Sequence, residues 1–379
     1  MNVVIIAPAL PFKGGAARFT WELSEFLVNQ SDKVSIISMY TNKEIFPESE
    51  NLQIIDIATE SSMTQSVRFW FTIKNTRRKI KQLVEKINPD VVLFMNFPAT
   101  LWAQKFEKIP IICYPQDIEL LYNNTYIKNL SKIKYVLWLI MRQIIRIEDK
   151  KCWKFFDQVI SHSEYTSKNI FEKYNIKTKT ILLGTNTEKF KPTKQKKKFA
   201  ILTIAAQKSQ RNIFGLKSMS EFLKKTPDSE LWIVGSSGQH EDELKKICTD
   251  LKIDKKVKFF GKVSDEKLID LYSEALVVIH LVKQPPFGLI VTEAMACGTP
   301  VIACHPGGTD ETIKDNETGF LINENDGKKL VEYLELFFKN PDLSYQMGKK
   351  ARERIQKYFE LNDKNQELRE LMEKWINLK

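Results

Sequence analysis

The sequence predicts an α/β protein, with two doubly wound parallel-sheet domains facing one cleft. Three observations predict it. Short β-branched runs alternate with longer amphipathic stretches from end to end. The strand candidates are almost continuously apolar, as strands covered on both faces must be. The length of 379 residues fits two domains, and one polar, lysine-rich stretch breaks the alternation near the middle.

In the first half, strands are expected at Val3–Ala7, Val34–Met39, Gln53–Ile57, Val91–Met95, Ile109–Cys113, Gln158–Ser161 and Thr180–Leu183. Ala16–Val28 and Lys74–Ile87 carry helical spacing of their apolar residues. Strands resume at Phe199–Ala205, Leu231–Val234, Val257–Phe259, Leu276–Leu281 and Val301–Ala303, with helices at Leu216–Lys225, Leu268–Ala275, Gly327–Phe338 and Leu361–Leu378. The break, Thr185–Lys198, has no apolar periodicity, and its Pro192 and lysine cluster read as an exposed hinge. No aromatic residues interleave those lysines, which argues against a nucleic-acid contact there. The expected domains are 1–184 and 199–360, with 185–198 as linker and 361–379 packing back on the first domain.

Composition narrows the function. The chain is 43% hydrophobic and 28% charged, as soluble globular proteins are, and its net charge of +11 points to an anionic partner: a phosphorylated metabolite, a membrane face or nucleic acid. Apolar runs such as Tyr135–Met141 fall far short of the ~18 residues of a membrane span. The start Met1-Asn2-Val3-Val4 lacks the basic region of a signal peptide. Five cysteines with no Cys-x-x-Cys pair fit reduced thiols in a cytoplasmic protein.

The most informative segment runs from Pro285 to Ile302. It reads as a Pro/Gly loop, a short helix from about Gly288, a stop at Gly298 and a new strand. The amides of Leu289 and Ile290 would be free donors at a helix N-terminus, where the dipole favours an anion. Glu293, four residues after Leu289, rises on the same face one turn later, placed to accept from a ribose diol. The competing reading is an ordinary helix glutamate and a packing glycine.

This segment resembles the C-terminal signature of glycosyltransferase family 4, retaining sugar transferases of the two-domain GT-B fold. Other segments match in order. They are Lys13-Gly14-Gly15-Ala16-Ala17-Arg18, Asp157–Thr166, Gly184–Phe190, Pro306–Glu311, Glu317–Leu321 and Gly348–Ile355. The resemblance covers most of the chain and implies a nucleotide-sugar donor held mainly by the second domain. By resemblance, Glu293 would bind the ribose and Phe287, Gly288, Leu289 and Ile290 the diphosphate. Gly235 and Val263 would line the base. The Gly14-Gly15 loop would approach the phosphates, and Arg18 either assists or lines a helix surface. A basic pair usually neutralises the departing diphosphate. Arg211 matches one member, the other falls on Ala206, and Lys208 stands nearby as a substitute.

Two further departures bear on the reacting sugar. The first glutamate of the family's Glu-x7-Glu motif falls on Pro285. The loop Cys113-Tyr114-Pro115-Gln116-Asp117 carries Gln116 where the family has a histidine. Gln116 can bind a sugar hydroxyl but cannot act as a general base, whereas Asp117 is either functional or a loop cap. The four histidines lack metal-ligand spacing and there is no Asp-x-Asp, so neither a metal nor another cofactor is expected. Arg68–Lys86 has seven basic residues and one acid, and Tyr126–Phe156 interleaves Lys and Arg with Trp and long aliphatics. Such helices either face water or lie on an anionic membrane near a lipid-linked acceptor.

The resulting expectation is a metal-independent retaining hexosyltransferase of surface polysaccharide or glycoconjugate synthesis. It would act in the cytoplasm or peripherally at the inner membrane face, on a glycan or polyprenyl-linked acceptor and without nucleic acid. The alternative is a weakened relative that binds nucleotide or glycan as a partner subunit, for which Pro285, Ala206 and Gln116 speak.

Overall fold

The computed structural model describes residues 1–11, 14–57, 67–116, 132–193, 197–205 and 210–379. The chain divides into two compact units, Met1–Leu182 with Asn365–Lys379, and Leu183–Lys364. Each is a Rossmann-like doubly wound domain.

The first unit runs β1 (Asn2–Ile6), α1 (Gly15–Asn29), β2 (Lys33–Ser38), β3 (Leu52–Asp56), α2 (Val67–Ile87), β4 (Val91–Phe94), β5 (Ile111–Cys113), α3 (Lys132–Cys152), β6 (Gln158–Ser161), α4 (Glu164–Tyr174) and β7 (Lys179–Thr180). The strands pair in parallel in the order β3-β2-β1-β4-β5-β6-β7. Val3, Val4, Ile5 and Ile6 are all fully buried although alternate side chains point to opposite faces, so both faces of the sheet are covered. One core gathers Phe94, Trp102 and Trp153 with Ile80 and Val84 of α2.

The second unit continues with β8 (Lys198–Ile204), α5 (Gln210–Lys225), β9 (Glu230–Val234), α6 (Gly238–Asp250), β10 (Val257–Gly261), α7 (Asp265–Glu274), β11 (Ala275–His280), α8 (Leu289–Ala296), β12 (Val301–His305), α9 (Thr309–Thr312), β13 (Gly319–Asn323), α10 (Gly327–Lys339), α11 (Pro341–Tyr358) and α12 (Leu361–Leu378). Its sheet order is β10-β9-β8-β11-β12-β13. In both sheets the order reverses beside the first strand, at β1/β4 and β8/β11, and ligands of such folds bind at the strand ends there.

Three findings differ from or add to the sequence reading. First, β13 was not among the expected strands. It begins at Gly319, where a Cβ would collide with the carbonyl oxygen of Val301 on β12. The glycine is required by close backbone approach, although Gly ordinarily argues against a strand. Second, the Thr185–Lys198 stretch is not an exposed hinge along its length. Thr185, Thr187 and Phe190 are buried, and the Lys197 ammonium donates to the carbonyls of Ser273 and Ala275 and to Thr299 Oγ1. Apolar and hydroxyl-bearing residues interleave with the lysines there and anchor the stretch to the second unit. Third, Thr185 N–H donates to Phe359 O and Leu361 N–H to Thr185 O, so the entry and exit of that unit run side by side. Gly184 fits there because a Cβ would strike the Leu361 backbone.

The C-terminal residues join the first unit through a buried ion pair. Asp32, 1% exposed, accepts Arg369 Nε at 2.8 Å and the Met1 ammonium at 2.6 Å. A second buried carboxylate, Asp149 on α3, accepts from Tyr174 Oη at 2.6 Å, Trp153 Nε1 at 3.1 Å and Thr100 Oγ1 at 3.4 Å. Burial pushes its pKa up from 3.8 to about 6, against those hydrogen bonds. The outer face of α3 presents Val136, Ile140, Ile144 and Ile147, each more than half exposed. No helix among the described residues is long and apolar enough to cross a membrane.

Candidate functional site

The segment singled out by the sequence forms the loop after β11 and the whole of α8. Gly288 caps α8 with φ +101°, a left-handed conformation that costs other residues about 1–2 kcal/mol. Val291 N–H donates to Gly288 O, so the amides of Leu289 and Ile290 precede the first closed turn. The loop before the cap is gripped by the next one: Gly308 N–H donates to Pro285 O at 2.7 Å. A Cβ on Gly308 would overlap the backbone of Pro286 and Phe287, which explains a glycine there without invoking a ligand. Phe287 itself is 2% exposed and packs against Phe359, so its ring faces the core and only its backbone borders the cap.

Glu293 lies one turn along α8 and is 7% exposed. Tyr272 Oη donates to its Oε2 across 3.4 Å. Beside it the Cys297 thiol is pushed up, first by burial and then by the charge of Glu293. At the far end of α8, Arg352 of α11 donates to Ala296 O at 2.6 Å, Phe190 O at 3.0 Å and Thr187 O at 3.4 Å. A guanidinium there satisfies orphan carbonyls and complements the helix dipole. Thr185 Oγ1 donates to Thr292 Oγ1 at 2.6 Å. Burial lowers the Lys197 ammonium from 10.5 to about 8. The helix carrying Glu293 is thus held by α11 and by the stretch that sequence reading left as linker.

The other expected donor residues lie on neighbouring strand ends of the second unit. Gly235 follows β9 with φ +87°, and its N–H donates to Gly261 O at 2.6 Å, which ties the ends of β9 and β10. Val263 follows β10 and is half-buried. Arg211 is the second residue of α5. Lys208 and Ala206 lie outside the described residues. A cavity of about 20 Å³, room for about one water, sits under the β8/β11 switch point among Thr203, Ala205, Asn212 and His280. It is a packing gap, since ligand pockets run to hundreds of Å³.

In the first unit, Gly14 caps α1 in extended backbone, φ −84°, and Gly15 opens the helix. Arg18 is paired within the helix, Nε to Glu22 Oε1 at 2.8 Å. Asp117 lies outside the described residues. Gln116 follows β5, and sequence reading missed its surroundings. Its backbone N–H donates to Asn96 Oδ1 at 2.5 Å, just beyond β4, while Asn96 Nδ2 donates to Gln116 Oε1 at 3.4 Å. His162, just beyond β6 and 1% exposed, lies 3.2 Å from Pro115 O through Nδ1 and 3.3 Å from Thr166 Oγ1 through Nε2. Asn96 and His162 each directly follow a predicted strand, and polar residues at strand exits are the signal that could have found them.

Comparison with known proteins follows these divisions. Residues 13–189 match the family described as Glycosyltransferase Family 4, and residues 184–354 match Glycosyl transferases group 1. An uncharacterized glycosyltransferase of Haemophilus influenzae is 28% identical over 357 residues, covering 89% of this chain and 91% of that one. Among solved structures, sucrose-phosphate synthase from Thermosynechococcus elongatus superposes with a TM-score of 0.81 at 18% identity, covering 100% of both chains. Anabaena HepE in complex with UDP and glucose gives 0.76 at 16% identity, covering 98% of this chain and 99% of that one. At those identities the likeness is one of fold, GT-B.

Proposed function

The chain belongs to the group 1 glycosyl transferases, family 4, and from that premise we propose that it moves a hexose from a nucleoside-diphosphate sugar to a hydroxyl of a glycan or lipid-linked glycan. One observation carries the reading: the left-handed cap at Gly288, the amides of Leu289 and Ile290, and the buried Glu293 one turn on stand together at one helix start, which supports an anion-and-diol site there. In this reading the backbone of Phe287, Gly288, Leu289 and Ile290 takes the diphosphate and Glu293 the ribose. Gly235 and Val263 border the base. Arg211 and Lys208 neutralise the leaving group, and Gly14, Gly15 and Arg18 are the donor-side candidates of the first unit. Gln116 and Asp117 serve the acceptor.

The acceptor oxygen attacks on the face from which the diphosphate leaves, so configuration is retained. Stabilising the departing charge supplies most of the rate, and no metal takes part. HepE, solved with UDP and glucose, makes UDP-sugars the first donors to try. The exposed aliphatic row on α3 ends near Lys150, Lys151 and Lys154, all exposed, which favours an anionic membrane face and a lipid-linked acceptor in surface glycan synthesis.

The test incubates purified protein with a panel of nucleotide sugars, with and without membrane lipid extract. Product that needs both donor and acceptor supports the transferase. Donor binding without turnover, unchanged by Glu293→Ala, overturns it in favour of a binding subunit.

A further inference from the structure

We infer that Asn96 is a positioning residue that locks the Gln116 side-chain amide, so that an N–H is the group left to bind the acceptor; the inference rests on the transferase reading above. The argument starts from a group with one role. The backbone N–H of Gln116 can only donate, and it meets Asn96 Oδ1 at 2.5 Å. Oxygen must face a donor, so the orientation of the Asn96 amide is settled by the main chain. Its Nδ2 is thereby turned to Gln116 Oε1, 3.4 Å away. That oxygen is taken. What Gln116 has left to offer is Nε2, a buried atom with no hydrogen-bond partner among the described residues.

The backbone bearing this amide is held from the other side as well. A carbonyl only accepts, so His162 donates from Nδ1 to Pro115 O, and its Nε2 lies 3.3 Å from Thr166 Oγ1. His162 therefore braces that peptide. Exits of β4 and β6, the two neighbours of β5, grip the Pro115–Gln116 peptide between them. This edge adjoins the β1/β4 switch point, where a ligand of such a sheet sits.

A donor-only amide has a definite chemistry. It recognises an oxygen lone pair, such as that of a sugar hydroxyl, ring oxygen or acetamido carbonyl. It can orient the sugar but cannot take the acceptor's proton. Asn96 acts through Gln116 and touches no substrate.

Two near-isosteric variants separate this from a purely structural role. Gln116→Glu replaces the donor by an acceptor. Asn96→Asp still accepts the Gln116 N–H but turns a carboxylate oxygen to the side chain, which draws Nε2 inward and leaves Oε1 outward. With the donor and lipid extract that wild type turns over, each variant should lose about 10–100-fold in kcat/KM. Affinity for the matching nucleoside diphosphate, measured by calorimetry, should stay within about two-fold, because that ligand includes no part of the acceptor. Wild-type activity in Asn96→Asp, or nucleotide affinity falling in parallel with activity, overturns the assignment alone. A wild-type protein that turns over no donor sinks the transferase reading, and this assignment with it.

Discussion

Replacing Asp149 by Asn should flatten the acid side of the stability profile. The carboxylate sits inside the first unit under α3, and burial raises its pKa from 3.8 to about 6 in spite of donors from Tyr174, Trp153 and Thr100. At 1.36 kcal/mol per pKa unit, that gap is about 3 kcal/mol. The sign follows from proton binding. The folded state holds the proton more tightly, so the contribution is fully present below pH 4 and is lost as pH rises through 6. Asn keeps Oδ1 for Thr100 and Trp153, turns its Nδ2 to the Tyr174 hydroxyl, which can accept instead of donate, and never ionises. The assay is urea or thermal unfolding followed by tryptophan fluorescence at pH 4, 5, 6 and 7.5, since Trp153 stacks 4.0 Å from Tyr174 beside the carboxylate. Between pH 7.5 and pH 4, wild type should gain about 2.4 kcal/mol on the variant, or roughly 5–10 °C in midpoint for a unit this size. A difference that stays constant with pH refutes the burial argument. So does a wild type that loses ground on acidification, because the hydrogen bonds would then outweigh desolvation.

Glu293→Gln removes a charged acceptor from the proposed ribose contact. Donor KM should rise about 10–100-fold, as expected for charge-assisted hydrogen bonds of about 1.5–3 kcal/mol, while melting temperature barely moves. Arg352→Ala leaves the carbonyls of Ala296, Phe190 and Thr187 without their cation and loosens α8. Calorimetry should show a loss of about 3–5 kcal/mol in the second unit together with weaker nucleotide binding, and unchanged stability would mean that α8 is held elsewhere. Ile140→Ser combined with Ile144→Ser strips two exposed side chains from α3. Sedimentation with vesicles rich in anionic lipid should then fall at least about tenfold, as burial of each isoleucine is worth about 1.5–3 kcal/mol; equal sedimentation excludes α3 as the contact.

The doubly wound architecture was legible because parallel strands buried on both faces must be apolar throughout, as β1 and β11 are. The α8 segment was legible for another reason: Gly288, Glu293 and Gly298 each meet a local backbone or polar demand within a few residues. Strand β13 was not, because the space that excludes a Cβ at Gly319 is made by β12, eighteen residues earlier in sequence. The packed part of the Thr185–Lys198 stretch was hidden by composition. Lysines normally mark solvent, yet Lys197 has three oxygen acceptors arranged by α7, β11 and the turn after α8. Asn96 and His162 escaped notice because each is a single polar residue whose partner lies on a neighbouring strand. Only sheet order brings them to Gln116.

The chain passes between units twice, after Leu182 and after Lys364, and the strap through Thr185, Phe359 and Leu361 holds those two points together. Topologically the second unit is an insert in the first. Its termini are already adjacent, so Leu183–Lys364 can be excised or transplanted as one continuous cassette. The first unit has no such freedom. A gene fragment stopped at Leu182 discards Arg369 and leaves the buried Asp32 with the Met1 ammonium alone of its two cations. Recombination that exchanges the second unit between relatives therefore needs two crossovers, one on each side of the strap.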